Sequence, residues 1–194
     1  MARQTRAEAT RTRLIEATIA ALAECGYSGT STQEVCRRAG VSRGTMLHHF
    51  PTRLTLLVAS LDDILSDRVE RFVDTHGGGP THPAALVRAL WDQWQGPVYV
   101  AWLELAVAAR TEPELRKPMR EVMERFDAQI SDAFAKLVDL DSLPPDLAEV
   151  VPTMVFALFN GLMVGASYEA EDRAGQGVVW LERAADLWAT GGVR

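Results

Sequence analysis

The 194-residue chain has only two cysteines, Cys25 and Cys36. Neither sits in a C-x-x-C or Cys/His spacing, which excludes the common structural zinc sites and leaves two reduced, mostly buried thiols as the expectation. No apolar run is long enough to span a bilayer, and the N-terminal MARQTRAEATRTR lacks the apolar core of a secretory signal, so no membrane partner and a cytoplasmic location are expected. Ser/His/Asp and Cys/His constellations, phosphate loops and metal spacings are all missing, so neither an enzyme nor a bound cofactor is expected. Strand alternation, internal repeats and low-complexity segments are also absent. What remains is helical periodicity throughout and 47% hydrophobic residues, enough for a substantial all-α core.

The formal net charge of −6 hides a polarised chain. Eight arginines and four acidic residues fall within positions 1–55, while the remaining positions carry twelve basic and twenty-two acidic residues. A basic head is drawn to a polyanion that repels the acidic body, which orients an encounter with nucleic acid.

That head contains the most informative stretch, Ser31 to Phe50, STQEVCRRAGVSRGTMLHHF. Ser31 and Glu34 have the spacing of a reciprocal capping box, so a helix is expected to start near Thr32. Val35 and Ala39 share one face of it, and Gly40 supplies the left-handed residue that ends it. Ser42 caps a second short helix whose buried side is Met46 and Phe50, leaving Arg43, Gly44, Thr45, Leu47, His48 and His49 for its outer surface and flanks. Arginine can meet phosphate or guanine, glycine admits close approach of a sugar-phosphate strand, and threonine offers a hydroxyl and a methyl to base edges. Two helices about a glycine turn, with these residues outward, form a helix-turn-helix. The candidate DNA contacts are Thr32, Ser42, Arg43, Gly44, Thr45, His48, His49 and Arg53.

The run A-G-V-S-R-G-T-M-L-H-H-F-P-T-R, from Ala39 to Arg53, resembles the DNA-binding signature of the TetR family of bacterial transcriptional regulators, and the resemblance extends over the preceding RTRLIEATIAALAECGYSGTS. Leu47 stands where that family most often has a tyrosine, His49 where a second aromatic is usual, and Arg53 where a lysine follows the recognition helix. The resemblance implies a three-helix DNA-binding domain, placed at 1–53, joined by a long helix to a larger helical effector-binding and dimerisation domain at 54–194. It also implies a dimer on a near-palindromic operator, released by a small-molecule effector. A nonspecific DNA-binding protein, or a helical ligand carrier with a degenerate head, are the alternatives.

Periodicity in the body agrees with helices only. A long helix is expected after Pro51, ending at Gly77 to Pro80, then one from Pro83 through Trp94, broken by Gly96 and Pro97. VYVAWLELAVAAR is apolar nearly all round, hence central. Thr111 and Glu114 suggest a second capping box opening a helix to about Val138. A helix from Asp146 to about Tyr168 with a kink at Pro152, and a last one from about Val178 to Thr190, complete the reading. Bulky, adaptable residues suited to a pocket among helices include Trp91, Trp94, Tyr99, Trp102, Met123, Phe126, Phe159 and Met163. Glu104 and Asn160 interrupt apolar surroundings, so each must satisfy a protein partner or face a ligand of polar or cationic character. Small residues Ala157, Gly161 and Gly165 permit close helix approach, and with Leu181, Ala185 and Trp188 of the last helix they are the candidate homodimer face.

Overall fold

In a computed structural model of the chain, residues 2–77, 82–138, 145–167 and 173–189 are described, and within them every regular element is a helix. In chain order these are α1 (Ala2–Gly29), α2 (Thr32–Ala39), α3 (Arg43–His49), α4 (Arg53–His76), α5 (Pro83–Trp94), α6 (Pro97–Ala108), α7 (Pro113–Leu137), α8 (Pro145–Ala166) and α9 (Arg173–Ala189). The fold is all-α, with an N-terminal helix-turn-helix followed by helical segments.

By compactness the chain forms two units: residues 1–67 with 96–126, and residues 68–95 with 127–194. The first unit therefore holds α1 to α3, the first part of α4, all of α6 and the first part of α7, so the helix-turn-helix shares a unit with α6. Its core gathers Leu14, Ile15, Ala17 and Ala21 of α1, Val35, Cys36 and Ala39 of α2, Met46 of α3, Phe50 and Leu56. Met46 and Val35 are wholly buried and Phe50 is 3% exposed, so the apolar face expected of each short helix is the face that packs. At about 1.5–3 kcal/mol per large side chain, this burial rather than helix propensity holds elements of seven and eight residues in place.

The second unit packs α5, α8, α9 and the remaining parts of α4 and α7. Phe72, Leu86, Ala133 and Leu137 form one of its apolar clusters. Arg68 and Gln93 tie α4 to α5 reciprocally: the Arg68 guanidinium donates to the Gln93 carbonyl, and Gln93 Nε2 donates to the Arg68 carbonyl at 2.7 Å. Burial pushes the Arg68 guanidinium below its ordinary range.

Two boundaries differ from the sequence reading. Thr111 does not cap α7; its hydroxyl donates back to Ala108 O at 3.3 Å, and Pro113 opens the helix with its φ already fixed. The last helix begins at Arg173, five residues before Val178, despite Gly175 and Gly177. Gly177 has a packing reason to be there: a Cβ on it would meet Leu162 Cδ2 at 2.5 Å, so the glycine lets α9 cross α8 closely. Pro152 lies inside α8 as expected, while Tyr168 and Thr190 fall outside the described residues.

Candidate nucleic-acid interface and apolar groove

The helix-turn-helix is assembled by local chemistry. Ser31, in extended conformation, accepts from the Glu34 N–H at 3.1 Å and starts α2. The capping box is only half made, because the Glu34 carboxylate turns to Arg37 and Arg38 (2.7 and 2.6 Å) and the Ser31 N–H donates to Gly29 O instead. Those two guanidiniums hold the Glu34 carboxyl down at about 2, against an ordinary 4.5. Gly40, at φ 63°, ψ 39°, ends α2, and the Val41 N–H reaches back to Cys36 O at 3.1 Å. Ser42 then accepts from the Thr45 N–H at 3.1 Å and starts α3.

With Met46 buried, α3 presents Arg43, Gly44, Thr45, Leu47 and His48 outward, with His49 half-buried beside them. Five of the eight candidates, Arg43, Gly44, Thr45, His48 and His49, thus share one short helix; Ser42 caps it, and Thr32 is the first residue of α2. The Ser42 and Thr45 hydroxyls are 2.9 Å apart, so the cap also fixes the Thr45 rotamer. The His48 and His49 rings meet edge to face at 5.6 Å.

Arg53 is placed differently from its neighbours. Its Nε donates to Thr30 O at 2.8 Å, its Nη2 to Tyr27 O, and its guanidinium lies 4.3 Å over the Tyr27 ring. It fastens the start of α4 to the corner after α1, so its donors are directed at backbone carbonyls. Tyr27 is a functional partner that sequence reasoning missed; the signal was its place directly after Gly26. Other head arginines are also engaged: Arg11 with Asp63, and Arg38 with both Glu24 and Glu34.

The candidate ligand residues fall in both units. In the first, Tyr99 is buried and packs against Trp102 (ring centroids 5.8 Å), whose Nε1 donates to Met123 Sδ at 3.2 Å, and Phe126 is buried. Burial pushes the Tyr99 phenol up. Glu104 points at the head, where its Oε2 accepts the Tyr27 N–H at 2.8 Å. In the second, Trp91 meets Phe159 edge-on at 5.3 Å, and Trp94 meets Phe156 at 4.9 Å. Trp94 Nε1 donates to Asn160 Oδ1 at 3.3 Å, giving that amide a protein partner. Met163 is half-buried on the same helix.

The second unit also contains an open groove of about 290 Å³ walled by four helices. Leu86 and Leu90 of α5, Phe134 of α7, Val155 and Leu158 of α8 and Leu181 of α9 typify its lining, which among the described residues contains no polar side chain. None of the ten candidate ligand residues lines it, whereas Leu181 and Ala185, read from sequence as dimer contacts, do. Ala157 and Gly161 are exposed and Gly165 half-buried on α8, whose exposed surface also carries Val150, Met154, Leu158 and Val164. On α9 the exposed large apolar residues among those described are Val179, Trp180 and Leu187, with Trp180 69% exposed; the Trp188 side chain lies outside the described residues.

Comparison with known proteins settles what this arrangement is. Residues 14–59 match the family described as bacterial regulatory proteins, tetR family, and residues 78–185 match the tetracyclin repressor-like C-terminal domain. The chain belongs to the TetR family. An uncharacterized HTH-type transcriptional regulator of Mycobacterium tuberculosis is 32% identical over 165 residues, spanning 83% of this chain and 84% of its own. A TetR-family regulator from Rhodococcus sp. superposes with a TM-score of 0.75 at 25% identity, covering 93% of this chain and 98% of that one. The FadR regulator of Bacillus subtilis, solved with stearoyl-CoA, shares the fold at a TM-score of 0.68 and 17% identity, covering 93% and 98%.

As a TetR-family protein the chain is a helix-turn-helix transcriptional regulator and not an enzyme. Among the described residues of this TetR-family regulator, no helix is long and apolar enough to cross a membrane, and no cluster of His, Cys, Asp and Glu could hold a metal ion. Leu47, standing where a family tyrosine is usual, is 41% exposed, so the outer face of α3 carries an apolar side chain beside Thr45 and His48.

Proposed function

We propose that this regulator is a homodimeric, ligand-responsive repressor that binds a near-palindromic operator and is released by a small, largely apolar effector. The observation that carries the reading is the groove of about 290 Å³ whose lining side chains, among the described residues, are all apolar. Such a surface recognises hydrocarbon and discriminates against buried polar groups, which would find no partner there. Stearoyl-CoA, held by a protein of the same fold, has a long apolar chain of that kind. Shifting an operator complex from nearly full to nearly empty needs about 5.5 kcal/mol of preference for the released state. On the order of 220 Å² of apolar ligand surface that only the released state buries corresponds to that much.

The dimer reading rests on the outward small residues Ala157 and Gly161 together with the exposed apolar side chains of α8 and α9. A dimer carries two α3 helices, which contact successive major grooves when held about 34–36 Å apart. Thr32, Ser42, Arg43, Gly44, Thr45, His48 and His49 supply the DNA contacts. In this reading Arg53 supports the corner on which α3 depends.

The test is binding of the purified protein to a duplex it selects from a random pool, with Arg43→Ala/Thr45→Ala and a scrambled duplex as controls, repeated with straight-chain fatty acids of increasing length. Selective binding lost in the variant and relieved by an apolar chain supports the reading. Equal binding to the scrambled duplex makes the protein a nonspecific DNA binder, and no DNA binding beside retained ligand binding makes it a carrier.

A further inference from the structure

Glu104 is the one charged residue of α6, a helix whose remaining side chains are apolar or phenolic. Its carboxylate is directed at a single backbone group. Gly26 interrupts α1 at φ 69°, ψ 179°, a conformation that L side chains avoid, and the N–H exposed by that break, Tyr27, donates to Glu104 Oε2 at 2.8 Å. The fit is close: a Cβ at Gly26 would stand 2.9 Å from the same oxygen. On the other side of the corner Arg53, at the start of α4, donates to Tyr27 O and to Thr30 O. Thr30 is fully buried, its Oγ1 donates to Gly26 O at 2.8 Å, and the next residue, Ser31, caps α2. One peptide corner, Gly26 to Ser31, is thus clasped by α6 through its N–H and by α4 through its carbonyls, and it sets the origin of the helix-turn-helix.

We propose that Glu104 is a positioning residue for DNA binding: by holding the Tyr27 N–H it fixes the Gly26–Ser31 corner, and through it the placement of α2 and α3. The inference rests on the reading of α3 as the DNA-contacting helix. It assigns the carboxylate of α6 to the head and away from any effector.

The decisive comparison is Glu104→Met, which keeps side-chain bulk without the acceptor, against Glu104→Gln, which keeps an amide oxygen at the same reach. Both are measured in the full chain, at a temperature where circular dichroism shows them folded, on a duplex selected by the unaltered protein. Glu104→Met should weaken selective binding about tenfold, the size of one hydrogen bond to a charged acceptor, with little change on random-sequence DNA, and Glu104→Gln should recover most of the loss. Amide exchange read by mass spectrometry or NMR supplies an arm that needs no DNA: in Glu104→Met, Tyr27 and the first amides of α2 should exchange faster while Leu22 and Met119 stay protected.

If Glu104→Met destabilises the chain too far to be assayed, Glu104→Asp, one methylene short of the corner, takes its place with the same expectations. Unchanged exchange in α2, unchanged selective binding in a folded acceptor-less variant, or a Gln variant as impaired as the Met variant would overturn the proposal. Failure of the parent protein to select any duplex would refute the repressor reading instead, and the exchange arm would still decide the role of Glu104.

Discussion

Replacing Arg53 separates two roles that one arginine could have at this position. If it is a strut, its worth can be worked from its contacts: two donations from a charged group to the carbonyls of Tyr27 and Thr30, and a cation over the Tyr27 ring at 4.3 Å. Hydrogen bonds involving a charged group contribute about 1.5–3 kcal/mol each, and a partly exposed cation–π contact about 0.5–1 kcal/mol. The site is only part-buried and water can replace some of the loss, so Arg53→Ala should cost about 2–3 kcal/mol. With a urea dependence of about 2 kcal/mol per molar, the unfolding midpoint falls by about 1–1.5 M. Arg53→Lys keeps the charge but loses the planar fork, and should lose most of the same stability. Protomer concentration must be held fixed, since an associating chain has a concentration-dependent midpoint.

The same variants, titrated with operator duplex over a series of salt concentrations, read the other role. A phosphate contact adds about 0.9 to the slope of log affinity against log salt. A strut leaves that slope unaltered while affinity falls through a loosened corner. A wild-type urea midpoint in Arg53→Ala, together with a slope reduced by about one, would refute the strut and return Arg53 to the phosphate-binding set.

Three further outcomes follow from the geometry. Phe159→Ala, at a fully buried ring packed against Trp91, should lower stability by about 3–5 kcal/mol in denaturant titration; a cost below 1 kcal/mol would mean the surrounding helices collapse into the space. Gly161→Arg adds a long charged side chain at a position where a Cβ meets nothing within 4 Å among the described residues, so it should leave the fold intact by circular dichroism while light scattering reports a monomer; a persistent dimer would place the interface elsewhere. The Glu34 carboxyl, held at about 2 against an ordinary 4.5, contributes stability that is fully present above 4.5 and is lost as pH falls through that interval. Glu34→Gln should therefore flatten the acid limb of the stability profile, and an unchanged acid limb would show the ion pairs to be inert.

What could be read from the sequence divides along physical lines. The head was legible because each of its signals is local: Ser31 and Ser42 cap, Gly40 turns, and the i, i+4 pair Met46 and Phe50 buries, all within a few residues. The body was legible as helices from its apolar periodicity and from Pro83 at the first position of α5, whereas the start of α7 was read at Thr111 when Pro113 opens it. Partners were not, because they depend on which faces meet. Glu104 reaches Tyr27, seventy-seven residues away, and Asn160 reaches Trp94, sixty-six away. No periodicity encodes those distances. Leu181 and Ala185 illustrate the same limit: an apolar helical stripe looks alike whether it borders a groove or another subunit, and only the packing of α9 shows that these two line the groove while Trp180 faces outward.

The charge of the head needs a similar correction, and it changes how its affinity for DNA should be understood. Composition assigns eight arginines to the first fifty-five residues. Of these, Arg11 is paired with Asp63, Arg37 and Arg38 share Glu34, and Arg53 is turned to backbone carbonyls, whereas Arg43 stands outward on α3. An arginine already neutralised by a carboxylate releases fewer counterions on meeting a phosphate, so the formal excess overstates the nonspecific, salt-steep part of binding. Among these pairs Arg38 with Glu24 ties α2 to α1, and Met46 packs α3 into the same apolar core. On the proposed reading, the head uses part of its positive charge to tie its helices together, and its selectivity would rest with the few side chains of α3 directed outward.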